Sequence, residues 1–105
     1  MLNKIKSLLG LGPAINFKEL MGRGAIIIDV RTKGEFASGH IEKSINIPLH
    51  NLSQNLSKID KNSPIITCCA SGMRSANAKN VLIGKGFKEV VNGGSWSSLN
   101  NKLNH

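Results

Sequence analysis

The sequence is poor in cysteine, and its two cysteines, Cys68 and Cys69, are neighbours in the chain. Neighbouring cysteines cannot form the cross-links that stabilise small secreted domains, so a reducing compartment is expected. No apolar run approaches the ~20 residues that a membrane-spanning helix needs. The first 13 residues have neither the long apolar stretch nor the cleavage site of a signal peptide. We therefore expect a cytoplasmic protein with no transmembrane segment.

Acidic and aromatic residues are also scarce. Six Asp and Glu stand against 14 Lys and Arg, giving a formal net charge of +8, and only 4% of residues are aromatic. A positive field attracts anions, whether nucleic acid, an acidic membrane surface or a small oxyanion. The lysines are scattered, without a basic run and without the aromatics on which single-strand binders stack bases. We therefore expect no binding of nucleic acid.

The length of 105 residues fits one domain, because a core split in two would bury too little apolar surface. Residues 1–13 are predicted to be an N-terminal amphipathic segment, and residues 14–105 the domain. Apolar residues recur at helical spacing in this segment, namely Leu2, Ile5, Leu8 and Leu9. Two interpretations remain open: a flap packed on its own domain, or contact of residues 1–12 with a partner or an anionic membrane surface.

Short apolar, β-branched runs alternate with helical stretches along the rest of the chain. Strands are predicted at 25–30, 44–48, 64–69 and 89–91, with an edge strand at 14–16. Helices are predicted at about 32–38, 49–59 and 72–85, and Gly93-Gly94-Ser95-Trp96 is predicted to turn into a closing helix. This alternation predicts an α/β fold with a mostly parallel sheet and helices on both faces. Active sites of such sheets lie beyond the carboxyl ends of the strands.

One loop carries the chemistry: residues 67–75, Thr-Cys-Cys-Ala-Ser-Gly-Met-Arg-Ser, lead from a buried strand into a helix. Such a loop turns backbone N–H groups toward one point, where they and the helix dipole bind an anion. A thiol there is favoured as the nucleophilic thiolate. Gly72 lets the backbone bend, and Arg74 adds a fixed charge. The predicted substrate-binding residues are Ala70, Ser71, Gly72, Met73, Arg74 and Ser75.

Only one of the two cysteines can face the centre of this loop, because neighbours in a strand point to opposite sides. Counted from Cys69, Gly72 is at +3 and Arg74 at +5, which gives C-x-x-G-x-R. Counted from Cys68, the spacing is the C-x5-R of cysteine phosphatases, but Ser71 stands where their glycine belongs. Cys69 is therefore the predicted catalytic nucleophile, and Cys68 is predicted to fill the core.

The loop Cys-Ala-Ser-Gly-Met-Arg-Ser resembles the active-site loop of the rhodanese-like sulfurtransferases. Residues 29–41, DVRTKGEFASGHI, are similar to that family's D-V-R-x-x-x-E-[FY]-x-x-G-H-I signature. Residues 44–48 resemble its A-x-x-I-P strand, and Gly86-Phe87 followed by Gly93-Gly94 resembles its closing segment. Three features depart from the pattern: Lys43 replaces a usual glycine, Trp96 follows Gly93-Gly94 closely, and Ala70 replaces a frequent arginine, which leaves donor selectivity open.

The resemblance implies a single rhodanese-like domain with about five mostly parallel strands flanked by helices. It also implies transfer of sulfane sulfur from thiosulfate or a similar small anionic donor, through a persulfide on Cys69. The acceptor would be cyanide or a thiol of the glutathione or thioredoxin type. No cofactor is implied.

Other polar residues are predicted to be structural. Asp29 and Arg31 end a strand, where a carboxylate and a guanidinium usually satisfy each other and nearby backbone groups, and Glu35 is assigned to the same network. His40, inside Gly-His-Ile, is predicted to be hydrogen-bonded scaffold rather than a base for Cys69. Adjacent cysteines and scattered histidines lack the ligand spacing of structural zinc sites, so no metal site is predicted.

Two alternatives to the sulfurtransferase interpretation remain. A cysteine phosphatase or arsenate reductase on a related scaffold would need a cradle wide enough for a tetrahedral oxyanion and a general acid. A binding module without catalysis would not need a cysteine in an anion-binding loop.

Overall fold

The computed structural model describes residues 14–105, so the predicted N-terminal amphipathic segment lies outside the described residues. In chain order the elements are helix α1 (Phe17–Gly22), strand β1 (Ile26–Asp29), helix α2 (Lys33–Ser38), strand β2 (Ile45–Asn46), a 3₁₀ helix (Leu49–Gln54), strand β3 (Ile65–Cys69), helix α3 (Met73–Gly84), strand β4 (Val90–Ser95) and helix α4 (Trp96–Asn104). None of these helices has the length and apolar character needed to cross a membrane.

The strands form one parallel sheet in the order β2-β1-β3-β4. Strand β3 is buried along its whole length, as expected for a central strand covered on both faces. The predicted α/β architecture is confirmed. Because parallel strands end at the same edge, the segments that follow β1 and β3 lie close together.

The sheet of the described chain has four strands, so the prediction of about five is wrong by one. Residues 14–16, predicted to be an edge strand, instead lead into α1. The Asn16 side chain accepts a hydrogen bond from the Glu19 N–H at 3.0 Å and caps the helix. An Asn in this position favours the start of a helix over a further strand.

The prediction of a helix at 49–59 is also wrong, because this segment forms only a 3₁₀ helix, which ends at Gln54. A side chain competes with a continuous helix in this segment, because the Asn55 amide donates to the Asn51 carbonyl at 2.7 Å. Directly after the segment, the Asp60 carboxylate accepts from the Asn62 N–H at 2.8 Å. The apolar residues on which the helix was predicted are buried nonetheless, namely Leu52, Leu56 and Ile59. The predicted helices at 32–38 and 72–85 are confirmed apart from their end residues.

Two apolar cores cover the two faces of the sheet. One contains Ile28, Ile65 and Cys69 together with residues of the 3₁₀ helix and α3. The other contains Ile27, Cys68 and residues of α1 and α4. Residues alternate between these cores along β1 and β3, as the period of two requires.

Strand β4 contains a bulge that the sequence did not predict. Gly93 and Gly94, predicted to form a turn, lie within the strand. Thr67 pairs with Asn92 but Cys69 pairs with Ser95, so β4 has one residue more than β3 over this stretch. Gly94 has a φ of +78°. A side chain at Gly93 would meet the Thr67 carbonyl at 2.8 Å, so the closely packed backbones leave room only for glycine there.

A buried ion pair fixes the segment after β1. The Arg31 guanidinium donates to the Asp29 carboxylate at 2.7 Å, and the two side chains are 5% and 0% exposed. It also donates to the carbonyls of Glu35 at 3.2 Å and Gly39 at 2.6 Å, and it lies over the Trp96 ring at 4.8 Å. The structural role predicted for Asp29 and Arg31 is confirmed. Glu35 joins this network only through its carbonyl.

We predict that Arg31→Ala lowers the free energy of unfolding by about 3–5 kcal/mol, because the Asp29 carboxylate would stay buried without its counter-charge. Urea unfolding followed by circular dichroism measures the change. Arg23→Ala is the control, because it removes an ion pair with Glu89 whose side chains are 46% and 42% exposed. Its effect should be much smaller. Equal losses in the two variants would contradict the role given to the buried pair.

Candidate active site

The sulfur of Cys69 occupies the position of a helix cap. Strand β3 ends at Cys69 and α3 begins at Met73. Gly72 at the N-cap has a φ of +104°, a conformation that favours glycine, and as a glycine it has no side chain with which to cap the helix. Instead, the N–H groups of Gly72 and Ser75 point to Cys69 Sγ, at 2.9 and 3.4 Å. N–H groups that a capping oxygen usually satisfies are thus directed at the thiol.

This arrangement favours the thiolate of Cys69, whose side chain is fully buried. Burial raises the pKa of the Cys69 thiol. The Ser75 hydroxyl, once its proton is turned to the sulfur, and the backbone N–H groups of Ser75, Gly72 and Ser71 outweigh burial, so that the pKa of Cys69 lies below its ordinary value. The local geometry therefore suits a nucleophile.

Cys68 has the opposite environment. It packs in the core on the other face of the sheet from Cys69. Burial, together with the negative charge of Asp29, raises the pKa of the Cys68 thiol to about 12. The predicted division of the two cysteines between opposite faces is confirmed, and Cys68 is a neutral core residue.

The structure places Arg74 at the loop, in a bidentate ion pair with Glu35. The guanidinium donates from Nη1 to Glu35 Oε1 at 2.7 Å and from Nη2 to Oε2 at 2.9 Å. Arg74 thereby holds the pKa of the Glu35 carboxyl at about 2, with further help from Thr32. Three of the five guanidinium N–H groups remain for other acceptors. This contact between α2 and α3 was not predicted from the sequence.

Thr32 and Glu35 complete a capping box at the start of α2. The Glu35 N–H donates to Thr32 Oγ1 at 3.2 Å, and the Thr32 N–H donates to Glu35 Oε1 at 3.0 Å. One carboxylate thus caps α2 and holds Arg74 of α3. The spacing of a Thr followed three residues later by Glu is the sequence signal for this cap.

Asn92 is a second residue that the sequence analysis missed. It lies on β4 at the bulge, and its side chain reaches the loop. Asn92 Oδ1 is 2.6 Å from the Ser75 hydroxyl oxygen and accepts the Gly94 N–H at 2.9 Å. Its amide nitrogen donates to the Gly72 carbonyl at 3.2 Å. In the sequence, the signal for this residue is an Asn directly before two glycines. The bulge that turns its side chain toward the loop cannot be inferred from the spacing of residues.

The remaining predicted site residues form the outer surface of the loop. Ala70, Ser71 and Met73 are exposed, and Met73 is 77% exposed. His40 lies elsewhere: its Nδ1 is 2.8 Å from the Phe36 carbonyl and its ring stacks on Phe36 with 3.7 Å between centroids. These contacts agree with a scaffold role for His40. Within residues 14–105 no three His, Cys, Asp or Glu side chains are grouped to hold a metal ion.

Comparison with known proteins shows which proteins this chain is similar to. The family model of the rhodanese-like domain matches residues 14–102. The thiosulfate sulfurtransferase GlpE of Pseudomonas savastanoi pv. phaseolicola is 33% identical over 84 residues, which are 78% of this chain and 79% of the relative.

Solved structures show the same fold. A rhodanese with anions from E. coli is 30% identical, with a TM-score of 0.66 over 70% of this chain and 89% of that protein. A human single-domain sulfurtransferase is 24% identical, with a TM-score of 0.67 over 90% of this chain and 88% of that protein, and shows likeness of fold alone. Because the family model matches most of the sequence, the chain belongs to the rhodanese-like domain family, a family of sulfurtransferases.

Proposed function

We propose that this protein transfers sulfane sulfur through a persulfide on Cys69. The donor is thiosulfate or a similar small anion, and the acceptor is cyanide or a thiol of the glutathione or thioredoxin type. The observation that carries the proposal is the Cys69 sulfur at the start of α3, with the N–H groups of Gly72 and Ser75 directed at it. The names of the GlpE relatives support thiosulfate as the donor.

The reaction has two half-reactions. The Cys69 thiolate attacks the outer sulfur of thiosulfate, a new S–S bond forms, the S–S bond of the donor breaks, and sulfite leaves with the electron pair. An acceptor thiolate then attacks the outer sulfur of the persulfide, and the Cys69 thiolate is released. Backbone N–H groups of the loop stabilise the sulfur anion at both stages without reorganisation.

Arg74 is proposed to bind the sulfonate end of the donor. Its side chain is 36% exposed and holds a bidentate carboxylate, so it is oriented rather than free to turn. Three guanidinium N–H groups remain for a second oxyanion. Glu35 then acts as the positioning residue for Arg74, and it reduces the local positive charge in doing so.

The narrow loop gives less support to a phosphatase or arsenate reductase. The N–H groups of Gly72 and Ser75 already contact the cysteine sulfur itself. In a phosphatase the corresponding groups must surround a tetrahedral oxyanion above the sulfur. A persulfide adds one sulfur and no oxygens, so a small cradle suits it. An aryl phosphate serves as the control substrate, and we expect no turnover of it.

We predict that Cys69→Ser abolishes sulfur transfer from thiosulfate to cyanide and that Cys68→Ser keeps most of it. Intact-mass spectrometry after thiosulfate treatment should show the gain of one sulfur atom in the wild type and in Cys68→Ser, but not in Cys69→Ser. Circular dichroism controls for folding, because a hydroxyl buried at position 68 costs about 1–3 kcal/mol without a partner. Similar losses in two folded variants would reject the assignment.

We predict that Arg74→Ala lowers kcat/KM for thiosulfate by about tenfold to a thousandfold, through loss of a charge-assisted contact. Glu35→Gln is the matched variant, because it removes the carboxylate charge and leaves the guanidinium in place. If Arg74 acts on the donor, Glu35→Gln should lose much less activity than Arg74→Ala, because the guanidinium stays and the glutamine oxygen can still accept one of its hydrogen bonds. If Arg74 serves only to hold α2 against α3, both variants should lose activity to a similar degree, which would contradict the proposed role.

A further prediction concerns thiol reactivity at about pH 6–7, below the ordinary pKa of a cysteine. Sub-stoichiometric iodoacetamide should label Cys69 before Cys68, because the pKa of Cys69 is lowered and that of Cys68 is raised to about 12. Both side chains are 0% exposed, so exposure does not decide the order. After thiosulfate treatment, peptide mapping should find the alkyl group on the outer sulfur of Cys69, removable by a thiol reductant. Preferential labelling of Cys68 would contradict the proposal.

A further inference from the structure

The hydroxyl of Ser75 lies among three acceptors. Its oxygen is 3.3 Å from Cys69 Sγ, 2.6 Å from Asn92 Oδ1 and 3.1 Å from the Gly72 carbonyl. A serine hydroxyl has one proton, so it donates to only one of these atoms at a time. Which atom receives the proton decides whether Cys69 faces a hydrogen-bond donor or a lone pair.

The orientation of the Asn92 amide settles this point. Its oxygen must face the Gly94 N–H at 2.9 Å, and its nitrogen must face the Gly72 carbonyl at 3.2 Å. The reverse orientation would set a donor against a donor and an acceptor against an acceptor. The atom that contacts Ser75 is therefore an oxygen that accepts only. The short distance of 2.6 Å is that of a hydroxyl proton directed at Asn92.

This arrangement fits a protonated Cys69. With its proton on Asn92, the Ser75 oxygen presents a lone pair to Cys69 Sγ and accepts from the S–H group. A thiolate has no proton to give, and a lone pair directed at it is unfavourable. The Ser75 hydroxyl supports the thiolate only after it turns its proton from Asn92 to the sulfur.

We propose that Asn92 is a positioning residue that holds the Ser75 proton away from Cys69 and thereby sets the free-energy cost of forming the thiolate. The proton stays bonded to the Ser75 oxygen throughout, and only its acceptor changes. The inference rests on the proposed function for its catalytic meaning, because the sulfur of Cys69 alternates between an anion and a neutral atom within a persulfide.

The acceptor of the Ser75 proton changes with the position of negative charge in the proposed cycle. When the persulfide is present, charge lies on the outer sulfur, Cys69 Sγ is neutral, and the Ser75 proton returns to Asn92. When an acceptor thiolate removes the outer sulfur, Cys69 Sγ is the leaving group and gains charge. The Ser75 hydroxyl then turns to it, while Asn92 Oδ1 keeps the Gly94 N–H as a donor.

The charged and titratable surroundings of Cys69 are few in the described chain. Arg74 of α3 lies near it, with its charge balanced by Glu35 of α2. Cys68 faces the other core, and Asp29 is paired with Arg31. From β4 the neighbours are Asn92 and Ser95, which do not titrate. A shift in the pKa of Cys69 on changing Asn92 is therefore readily traced to the Ser75 hydroxyl.

A double-mutant cycle tests this. Asn92→Ala frees the Ser75 proton and should raise the acid dissociation constant of Cys69 about three- to tenfold, the effect of one hydrogen bond. The same change in a Ser75→Ala background should have little effect, because no hydroxyl remains to be released. The thiolate is followed by its ultraviolet absorbance against pH, with Cys69→Ser as the blank. Cys68, with a pKa of about 12, does not interfere.

The cycle separates positioning from mere support of the loop. If Asn92 only braced Gly72 and Gly94, its removal would shift the dissociation constant equally in both backgrounds, and that result would overturn the proposal. The proposal would also be overturned if Asn92→Ala left the dissociation constant of Cys69 unchanged in the protein that retains Ser75. The measurement needs no sulfur donor, so it remains decisive even if thiosulfate is not a substrate.

Asn92→Asp provides a second route if the alanine variant is unstable. The aspartate keeps an acceptor for the Ser75 proton and adds a negative charge, so it should lower the dissociation constant in both backgrounds. The decrease should be larger with Ser75 present, because the carboxylate also holds the proton more strongly. Equal decreases in the two backgrounds would contradict the proposal.

Discussion

The site depends on a helix whose N-cap residue, Gly72, has no side chain to cap it. The N–H groups of Gly72 and Ser75 at the start of α3 are directed at Cys69 Sγ, so the cap of the helix is the same sulfur that is proposed to react. Gly72 makes this possible, because a φ of +104° is strained for a residue with a side chain. Local backbone geometry and chemical reactivity are therefore set by the same hydrogen bonds.

Three further elements hold this arrangement in place. Glu35 caps α2 and fixes Arg74, Asn92 ties the bulge of β4 to Gly72, and the buried pair of Arg31 and Asp29 anchors the segment after β1. Each contact satisfies polar groups that would otherwise be left without partners on folding. The loop after β3 is thus supported from neighbouring segments on both sides, and not only by the strand and helix that it connects.

The α/β class, the parallel sheet and the placement of the two cysteines on opposite faces could be predicted from sequence, because they follow from the alternation of strands and helices and from the strand period. That Cys69 is the nucleophile stays a prediction, made from the spacing of Cys69, Gly72 and Arg74. The number of strands could not be predicted. The expected edge strand at 14–16 depended on how Asn16 was interpreted, and an Asn serves equally well in a loop or as a helix cap. The 49–59 segment buries its predicted apolar residues without a continuous helix, since apolar spacing reports burial and not backbone conformation. The contacts of Glu35 and Asn92 join residues distant in sequence, which no local pattern encodes.

The placement of Cys68 and Cys69 on opposite faces of β3 also bears on oxidative damage. A thiolate of low pKa is the form that peroxides oxidise to sulfenic acid, and many such proteins are rescued when a nearby cysteine condenses with it to a disulfide. Cys68 cannot do this, since its sulfur is on the far side of the strand. Rescue of Cys69 before irreversible oxidation therefore depends on a thiol from another molecule, and in the proposed function a thiol that accepts sulfur would also give this protection.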